Sequence, residues 1–355
     1  MNFKKLQADF KTRYNRDITP SCTFAGAPLF LLGDITPHGG SVITALSAGT
    51  ALAINTGVSE SSFSVQDTQT NSVYTCKKEK LTGYHSDTPA KLIFNILGTL
   101  TAYKELKVKG AELLYMHNTS DPDFFNTISS LITAIIHLTG ETPEKILSKL
   151  EGLGFSKKDV RSLKATLMLK KNTAAIFERD SFSFSPLPLS GTKMVIIKTD
   201  LKQLYIDVKL KKAFSAFTRA TEDSELTPET LSDSSLSQKE QELLRFNLRE
   251  NQRVQTLKNS PLNLFNVINQ SGEEFLKVAA SEDLRLLYSS ATDLKLHLAC
   301  RPLSSGAGLY IIIPDNKVDS FIEQFSGRYE KKAGAKPAFY VTDTADSGIG
   351  FGVKG

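Results

Sequence analysis

Strand-length and helix-length apolar segments interleave along this chain without a regular alternation, and no Gly-x-Gly-x-x-Gly follows a strand. A doubly wound parallel sheet needs a repeated strand–helix–strand beat, so the pattern predicts layered α+β units instead. Phe3, Leu6, Phe10 and Tyr14 stand at near-helical spacing and predict an amphipathic opening helix. Cys22 to Leu32, Ser41 to Val58, parts of Phe63 to Lys77, and Ala111 to Met116 read as strands. Pro89 to Leu106 reads as a helix, and so does Asn126 to Leu138, stopped by Gly140. Thr142-Pro143-Glu144 supplies the next helix with a cap, a first-turn proline and an acid at its positive end. Further on, Met194 to Lys198, Tyr310 to Ile313 and Ala338 to Val341 are strands, and Leu243 to Leu257, Leu264 to Val278 and Leu284 to Leu296 are helices. Thr221 to Gln241, rich in Ser, Thr, Asp and Glu, reads as a surface excursion. The turn-prone Ser190-Gly191 marks the expected boundary between domains at 1–190 and 191–355.

A chain of 355 residues suits two packed domains better than one small core. With 40% hydrophobic and 23% charged residues it falls outside the disordered class. The longest apolar runs, such as Leu131 to Leu138, are far short of the roughly 20 residues that span a bilayer, so no membrane partner is expected. The net charge of +5 is mild, and no aromatic-interleaved basic stripe accompanies it, which argues against nucleic acid. Cys22, Cys76 and Cys300 are odd in number and widely spaced, so neither a disulfide framework nor a zinc site is expected. Reduced cysteines, and opening residues Met1 to Lys5 with no apolar run behind them, give a cytoplasmic location as the expectation.

Four places carry a likeness to a known family. The first runs Ala27-Pro28-Leu29-Phe30-Leu31-Leu32-Gly33-Asp34-Ile35-Thr36-Pro37-His38-Gly39-Gly40, and the second is Leu248-Arg249-Glu250-Asn251-Gln252-Arg253-Val254. The third is Ser304-Ser305-Gly306-Ala307-Gly308 entering an apolar strand, and the fourth is Ala338-Phe339-Tyr340-Val341 followed by Gly348-Ile349-Gly350. In order and spacing these resemble the galactokinases of the GHMP sugar-kinase superfamily, with their A-P-G-R…G-E-H-T-D, T-E-N-x-R-V, G-G-G-F-G-G and F-Y-V…G-A-G. The resemblance implies a two-domain α+β fold, with a ribosomal-protein-S5-like N-terminal domain and a ferredoxin-like C-terminal one. It further implies a monomer that binds a small sugar-like or nucleotide ligand in the cleft between those domains.

Measured against what that chemistry needs, the matching positions are rewritten. The family cradles ATP phosphates with P-I-G-A-G-L-S-S-S-A-S at a helix start, where glycines let backbone N–H groups approach. Here the stretch is Ser120-Asp121-Pro122-Asp123-Phe124-Phe125-Asn126-Thr127-Ile128-Ser129-Ser130. It has no glycine, and Asp121 and Asp123 stand where phosphates would sit. Two like unit charges about 4 Å apart repel by roughly 4 kcal/mol at an effective dielectric near 20. Thr127, Ser129 and Ser130 remain as hydroxyl candidates for nucleotide or magnesium, and Ser304, Ser305 and Gly306 as a small-residue turn for an anion. Helix capping by Asp121 or Asp123, and a tight turn before the Tyr310 strand, are the structural alternatives. A metal site of His117 with Asp121 and Asp123 lacks a specific ligand spacing, and none is assigned.

No catalytic residue is assigned. Around the Asp of the family's G-I-M-D-Q this chain reads Val160-Arg161-Ser162-Leu163-Lys164-Ala165, with Ser162 near the Asp, and where the family has the Arg of A-P-G-R, Pro28 runs into Leu29. A neutral hydroxyl and an apolar chain supply neither base nor charge to a phosphoryl transfer. Asp34 replaces the family's sugar-binding Glu on a shorter arm, and His38 is the best-placed histidine beside it. Ile35 and Pro37 replace polar contacts, and Val208-Lys209-Leu210-Lys211-Lys212 lacks the family's sugar-binding Tyr. Lys164, Lys170, Lys171 and Arg301 are the cations nearest the matched motifs. The expectation is a galactokinase-like protein with lost or altered sugar-kinase activity that keeps a ligand or regulatory site. The alternative is an active, divergent ATP-dependent kinase of a sugar or small alcohol. ATP and Mg2+ are its cofactors in the second case and absent in the first.

Overall fold

The computed structural model describes residues 3–33, 40–81, 89–102, 108–117, 124–150, 157–178, 181–199, 206–220, 226–232, 235–279, 281–303, 305–346 and 349–351. In chain order its first elements are α1 (Phe3–Tyr14), β1 (Ser21–Leu32), β2 (Ser41–Asn55), β3 (Ser62–Asp67), β4 (Val73–Lys77), α2 (Pro89–Ala102), β5 (Ala111–His117), α3 (Phe124–Thr139), α4 (Pro143–Leu150) and α5 (Lys157–Met168). There follow β6 (Thr173–Glu178), β7 (Ser181–Pro186), β8 (Thr192–Lys198), α6 (Ile206–Ala220), α7 (Pro228–Ser232), α8 (Gln238–Asn259), α9 (Leu264–Ala279), α10 (Glu282–Thr292), β9 (Ala299–Pro302), β10 (Gly308–Pro314), α11 (Val318–Ala333), β11 (Ala338–Thr342) and β12 (Ile349–Phe351). The layered α+β reading holds.

Two compact units emerge, and they exchange segments: residues 1–29, 45–171 and 345–355 form the first, and 30–44 with 172–344 the second. β1 and β2 each pass from one unit to the other, and Ser190-Gly191 lies inside the second unit.

In the first unit, strands run side by side in the order β12-β1-β2-β5-β3-β4. The period of two sorts β2 and β5 onto two faces. Leu52, Ile54, Leu113 and Tyr115 join a core with Ile93, Leu97, Leu131, Ile135 and Leu163 from the helices α2, α3 and α5. Ala51, Ala53 and Leu114 point the other way and are covered by Leu6 and Phe10 of α1. The small alanines leave room for those two side chains, each 0% exposed. α3 stops where expected, at Gly140, whose φ of +72° and N–H bonded to Ile136 O make a left-handed end. Thr142 Oγ1 accepts from Lys145 N at the start of α4.

In the second unit the order β11-β8-β10-β9 is antiparallel throughout. Val195, Ile197, Leu309, Ile311 and Ile313 form its buried face, packed by Phe217, Phe246, Phe275, Phe321 and Phe325 from the helices. β6 pairs with the opening residues of β2 and with β7. The polar stretch expected as a surface excursion holds α7, anchored by the fully buried Leu231. α8 opens on a capping box, Ser237 with Glu240, which fixes the start of a 22-residue helix. Among the described residues no helix is long and apolar enough to cross a membrane.

Candidate functional site

Of the residues singled out from sequence, Asp34, His38, Asp121, Asp123 and Ser304 lie outside the described residues, and Thr127 is described in its backbone only. The segment that carries Asp34 and His38 is nevertheless bracketed by two well-placed glycines of the second unit. Gly33 has φ +74°, and a Cβ built on it would lie 2.1 Å from the carbonyl oxygen of Gly40. Only a residue without a side chain allows that approach, so β1 and β2 meet at a closed neck. A Cβ on Gly40 would in turn meet Phe177 O and Val254 Cγ1, each at 2.8 Å.

Consecutive residues of α8 hold this neck. Gly33 N–H donates to Glu250 Oε2 at 3.3 Å, and Gly40 N–H donates to Asn251 Oδ1 at 2.9 Å. Glu250 is fully buried and is held by two guanidinium groups. Arg253 Nη1 lies 2.9 Å from its Oε1, and the fully buried Arg301 places Nη2 at 3.4 Å from its Oε2. Arg301 also donates through Nε to Ser271 Oγ at 2.8 Å, and its guanidinium carbon sits 5.9 Å from the centre of the Phe275 ring. Arg253 reaches Glu274 Oε2 at 2.6 Å. Buried charges survive only when paired and hydrogen-bonded, and here each finds opposite charge within the same unit. Glu250, Asn251, Arg253 and Val254 of the Leu248–Val254 motif thus all act at one place. Reading the sequence identified that helix but not its partners, because Glu250 and Gly33 are 217 positions apart.

In the first unit, the start of α3 presents Ser129 and Ser130, both 0% exposed. Ser129 Oγ is hydrogen-bonded to Thr166 Oγ1 of α5, and Ser130 Oγ donates to Thr50 O of β2. Ser162, one turn before Thr166, is 3% exposed, and its carbonyl accepts from the Thr166 hydroxyl at 3.0 Å. These hydroxyls therefore stitch α3 to α5 and to the sheet. Of the cations nearest the motifs, Arg301 is committed to Glu250 and Ser271, and Lys171 offers its backbone N–H to Asp346 at 2.9 Å.

The turn at Ser305–Gly308 closes on itself. Gly306, at φ +72°, donates its N–H to Leu303 O at 2.8 Å, and Ala307 N donates to Ser305 Oγ at 3.3 Å. These two N–H groups, which an anion would need, are used to turn the chain from β9 into β10.

His117 ends β5 with Nδ1 2.7 Å from Thr50 Oγ1. Burial holds its ring below the ordinary 6.5, and the nearby Asp67 charge offsets this only in part. Because the folded protein resists the proton that the unfolded chain accepts, stability falls as pH drops through about 6.5. We expect the thermal midpoint to decline from pH 7.5 to 5.0, and His117→Gln to make that decline shallower. His297, lowered by burial as well, would account for part of the slope that remains. Among the described residues no three of His, Cys, Asp or Glu stand together as a metal site.

Comparison with known proteins adds a family likeness to this geometry. A galactokinase of Clostridium acetobutylicum is 27% identical over 203 residues, which cover 50% of this chain and 52% of the relative. The match thus spans about half the length of that relative. No protein-family model matches the chain. Among solved structures, Lactococcus lactis galactokinase complexed with galactose superposes with a TM-score of 0.81 at 13% identity, over 97% of this chain and 98% of that one. Methanococcus jannaschii mevalonate kinase follows at TM-score 0.65 and 8% identity, over 93% and 99%. Homoserine kinase from Cytophaga hutchinsonii reaches 0.58 at 13% identity, over 95% and 99%. At such identities the structural matches speak for the fold, which is that of the GHMP kinases, and the sequence match places the likeness with galactokinase.

Proposed function

We propose that this chain is a galactokinase-like protein that keeps a site for a small polyhydroxy ligand and has lost galactokinase chemistry by the family's route. The observation that carries the reading is Ser162, on α5 near the place where the resemblance puts the catalytic Asp, 3% exposed and neutral. A serine there removes no proton at neutral pH and balances no phosphoryl charge. The nucleotide position is altered in the same sense. ATP and Mg2+ would need the hydroxyls of Ser129 and Ser130, yet both are turned onto Thr166 and Thr50, so the described residues do not fit that grip. Ser305 and Gly306 spend their turn on internal bonds. The ligand side rests on the resemblance at Asp34 and His38, which follow Gly33 in sequence. The Lactococcus protein, solved with galactose, makes a hexose the first ligand to try.

The test is calorimetry with D-galactose and with Mg·ATP, run beside an ADP-release assay on a panel of sugars and small alcohols. Sugar-dependent ADP release at background level, with sugar binding retained, is the expected result. Sugar-dependent turnover near 1 per second, the low end for kinases, would overturn the reading in favour of a divergent active enzyme.

A further inference from the structure

We infer that the outer edge of β4 is a docking site for an extended, acidic peptide segment of a partner protein, which adds to the sheet of the first unit as a further strand. The inference is independent of the function proposed above, because it stands on the sheet of the first unit alone.

β4 ends the strand order β12-β1-β2-β5-β3-β4, and among the described residues no strand lies beyond it. Its pairing with β3 fixes which way each backbone group points. Asp67 N–H donates to Ser72 O at 3.1 Å, and Lys78 N–H donates to Ser61 O at 3.0 Å. Both bonds continue the register that sets Val65 opposite Tyr74 and Phe63 opposite Cys76. Antiparallel pairs alternate between bonded and non-bonded, so positions 72, 74, 76 and 78 direct their N–H and C=O to β3. Val73, Thr75 and Lys77 therefore aim theirs outward, where none has a backbone partner among the described residues. The same alternation sorts the side chains. Cys76 is buried in the core with Tyr74 packed against it, while Val73, Thr75 and Lys77 are exposed, Val73 at 56%. Outward N–H and C=O groups at every second residue are what β-strand addition uses.

Charge selects the occupant. The last residue of β4 runs into Lys78, Glu79 and Lys80, so three lysines stand against one acid at this end. Lys77 and Lys80 enter no ion pair among the described residues, and Lys78 donates its ammonium to a neutral acceptor, Val108 O, at 2.7 Å. At the other end Arg13 is held by the neutral Asn71 Oδ1 at 2.7 Å. Asp67, the acid opposite Ser72, has its carboxylate turned onto Gln69 N and Thr70 Oγ1. A second copy pairing antiparallel about Thr75 would set Lys77 of each chain opposite Val73 of the other, two residues from Asn71 and its Arg13. Cation would then approach cation at both ends. A lysine on an edge strand repels edges of like charge and admits one of opposite charge. An antiparallel peptide with acids at its N-terminal end and β-branched residues after them meets the lysines with carboxylates, and Thr75 and Val73 with aliphatic contact.

The experiment titrates full-length protein into a fluorescein-labelled synthetic peptide, Glu-Glu-Ile-Thr-Ile-Val, and into the same peptide with lysines for the glutamates, reading anisotropy. Wild type is compared with Thr75→Pro, which removes one outward N–H that the fold does not use, and with Lys77→Glu. We expect saturable binding of the acidic peptide that weakens as salt rises from about 50 to about 500 mM. Thr75→Pro should weaken it about fivefold or more, the loss of one hydrogen bond. Lys77→Glu should weaken it about fivefold and reverse the preference between the two peptides. Thermal midpoints of both variants should stay close to wild type, since neither position bonds to β3. Should Thr75→Pro not fold, Lys77→Glu with the two peptides decides. Acidic-peptide binding no tighter than a Kd of about 1 mM overturns the inference. Equal binding of both peptides overturns the selection by charge, and binding untouched by Thr75→Pro places the peptide elsewhere and overturns the edge as its site. Sedimentation that shows a wild-type dimer dissolved by Thr75→Pro makes a second copy the occupant and overturns the acidic partner.

Discussion

Replacing Glu250 with alanine is expected to destabilise the protein by about 3 kcal/mol or more, the range seen when one partner of a buried ion pair is removed. The carboxylate is 0% exposed and accepts from Gly33 N–H, Arg253 and Arg301 at once. Arg253 would retain Glu274 at 2.6 Å, which limits its share of the loss. Arg301, 0% exposed, would keep Ser271 and Pro302 O but lose the Glu250 charge. The greater part of the cost therefore falls on a guanidinium held away from water. A double replacement, Glu250→Leu with Arg301→Leu, is expected to recover at least about half of that loss, because two apolar side chains remove the stranded charge altogether. Thermal and urea unfolding of the three variants measures both numbers. A loss below about 1 kcal/mol for Glu250→Ala would rank the pair with exposed ion pairs and remove it as the anchor of the neck.

Placing an acid at Ser162 is expected to harm the fold without producing sugar-kinase activity. Ser162 is 3% exposed on α5, between the core residue Leu163 and Arg161, and bonded through its carbonyl to Thr166. A carboxyl in such a place takes a proton in preference to standing charged, so its folded pKa lies above the ordinary 3.9 or so of aspartate. Keeping it neutral at pH 7 costs about 4 kcal/mol, at 1.36 kcal/mol for each pH unit above the unfolded value. With the folded value raised, the penalty is absent below about pH 4 and grows as pH rises toward that value. The gap in thermal midpoint between Ser162→Asp and wild type is thus expected to be wide at pH 7 and to narrow to roughly a third at pH 5. No sugar-dependent ADP release should appear, since the arginine of the family's opening motif is still absent and Ser129 and Ser130 still face Thr166 and Thr50. Restored turnover would mean that the acid alone was missing.

Much of the fold was legible beforehand, for a local reason. The periods of β2 and β5, the helical spacing of Phe3, Leu6 and Phe10, the stop at Gly140 and the cap at Thr142 all act within a few residues of where they are read. The 206–220 helix was seen only at its start, Val208 to Lys212, and β6, β7, β9, β12, α5 and α11 were missed. Phe182 and Phe184 alternate as a strand should, but they sit in a Ser-rich stretch whose partner strand decides the matter. The excursion at Thr221 to Gln241 was read from polarity, and one apolar residue, Leu231, was enough to seat a helix within it.

The candidate site divides along the same line. Sequence by itself determined the layered α+β class and the likeness to galactokinases, because each depends on residue type and near spacing. Tertiary structure alone decided that Glu250 and Asn251 meet Gly33 and Gly40, that Arg301 serves the same buried carboxylate, and that Ser129 and Ser130 bond inward. An acid on an amphipathic helix reads the same whether it faces water or a guanidinium 51 residues away. Its partner is chosen only when the chain has folded far enough to exclude water from both.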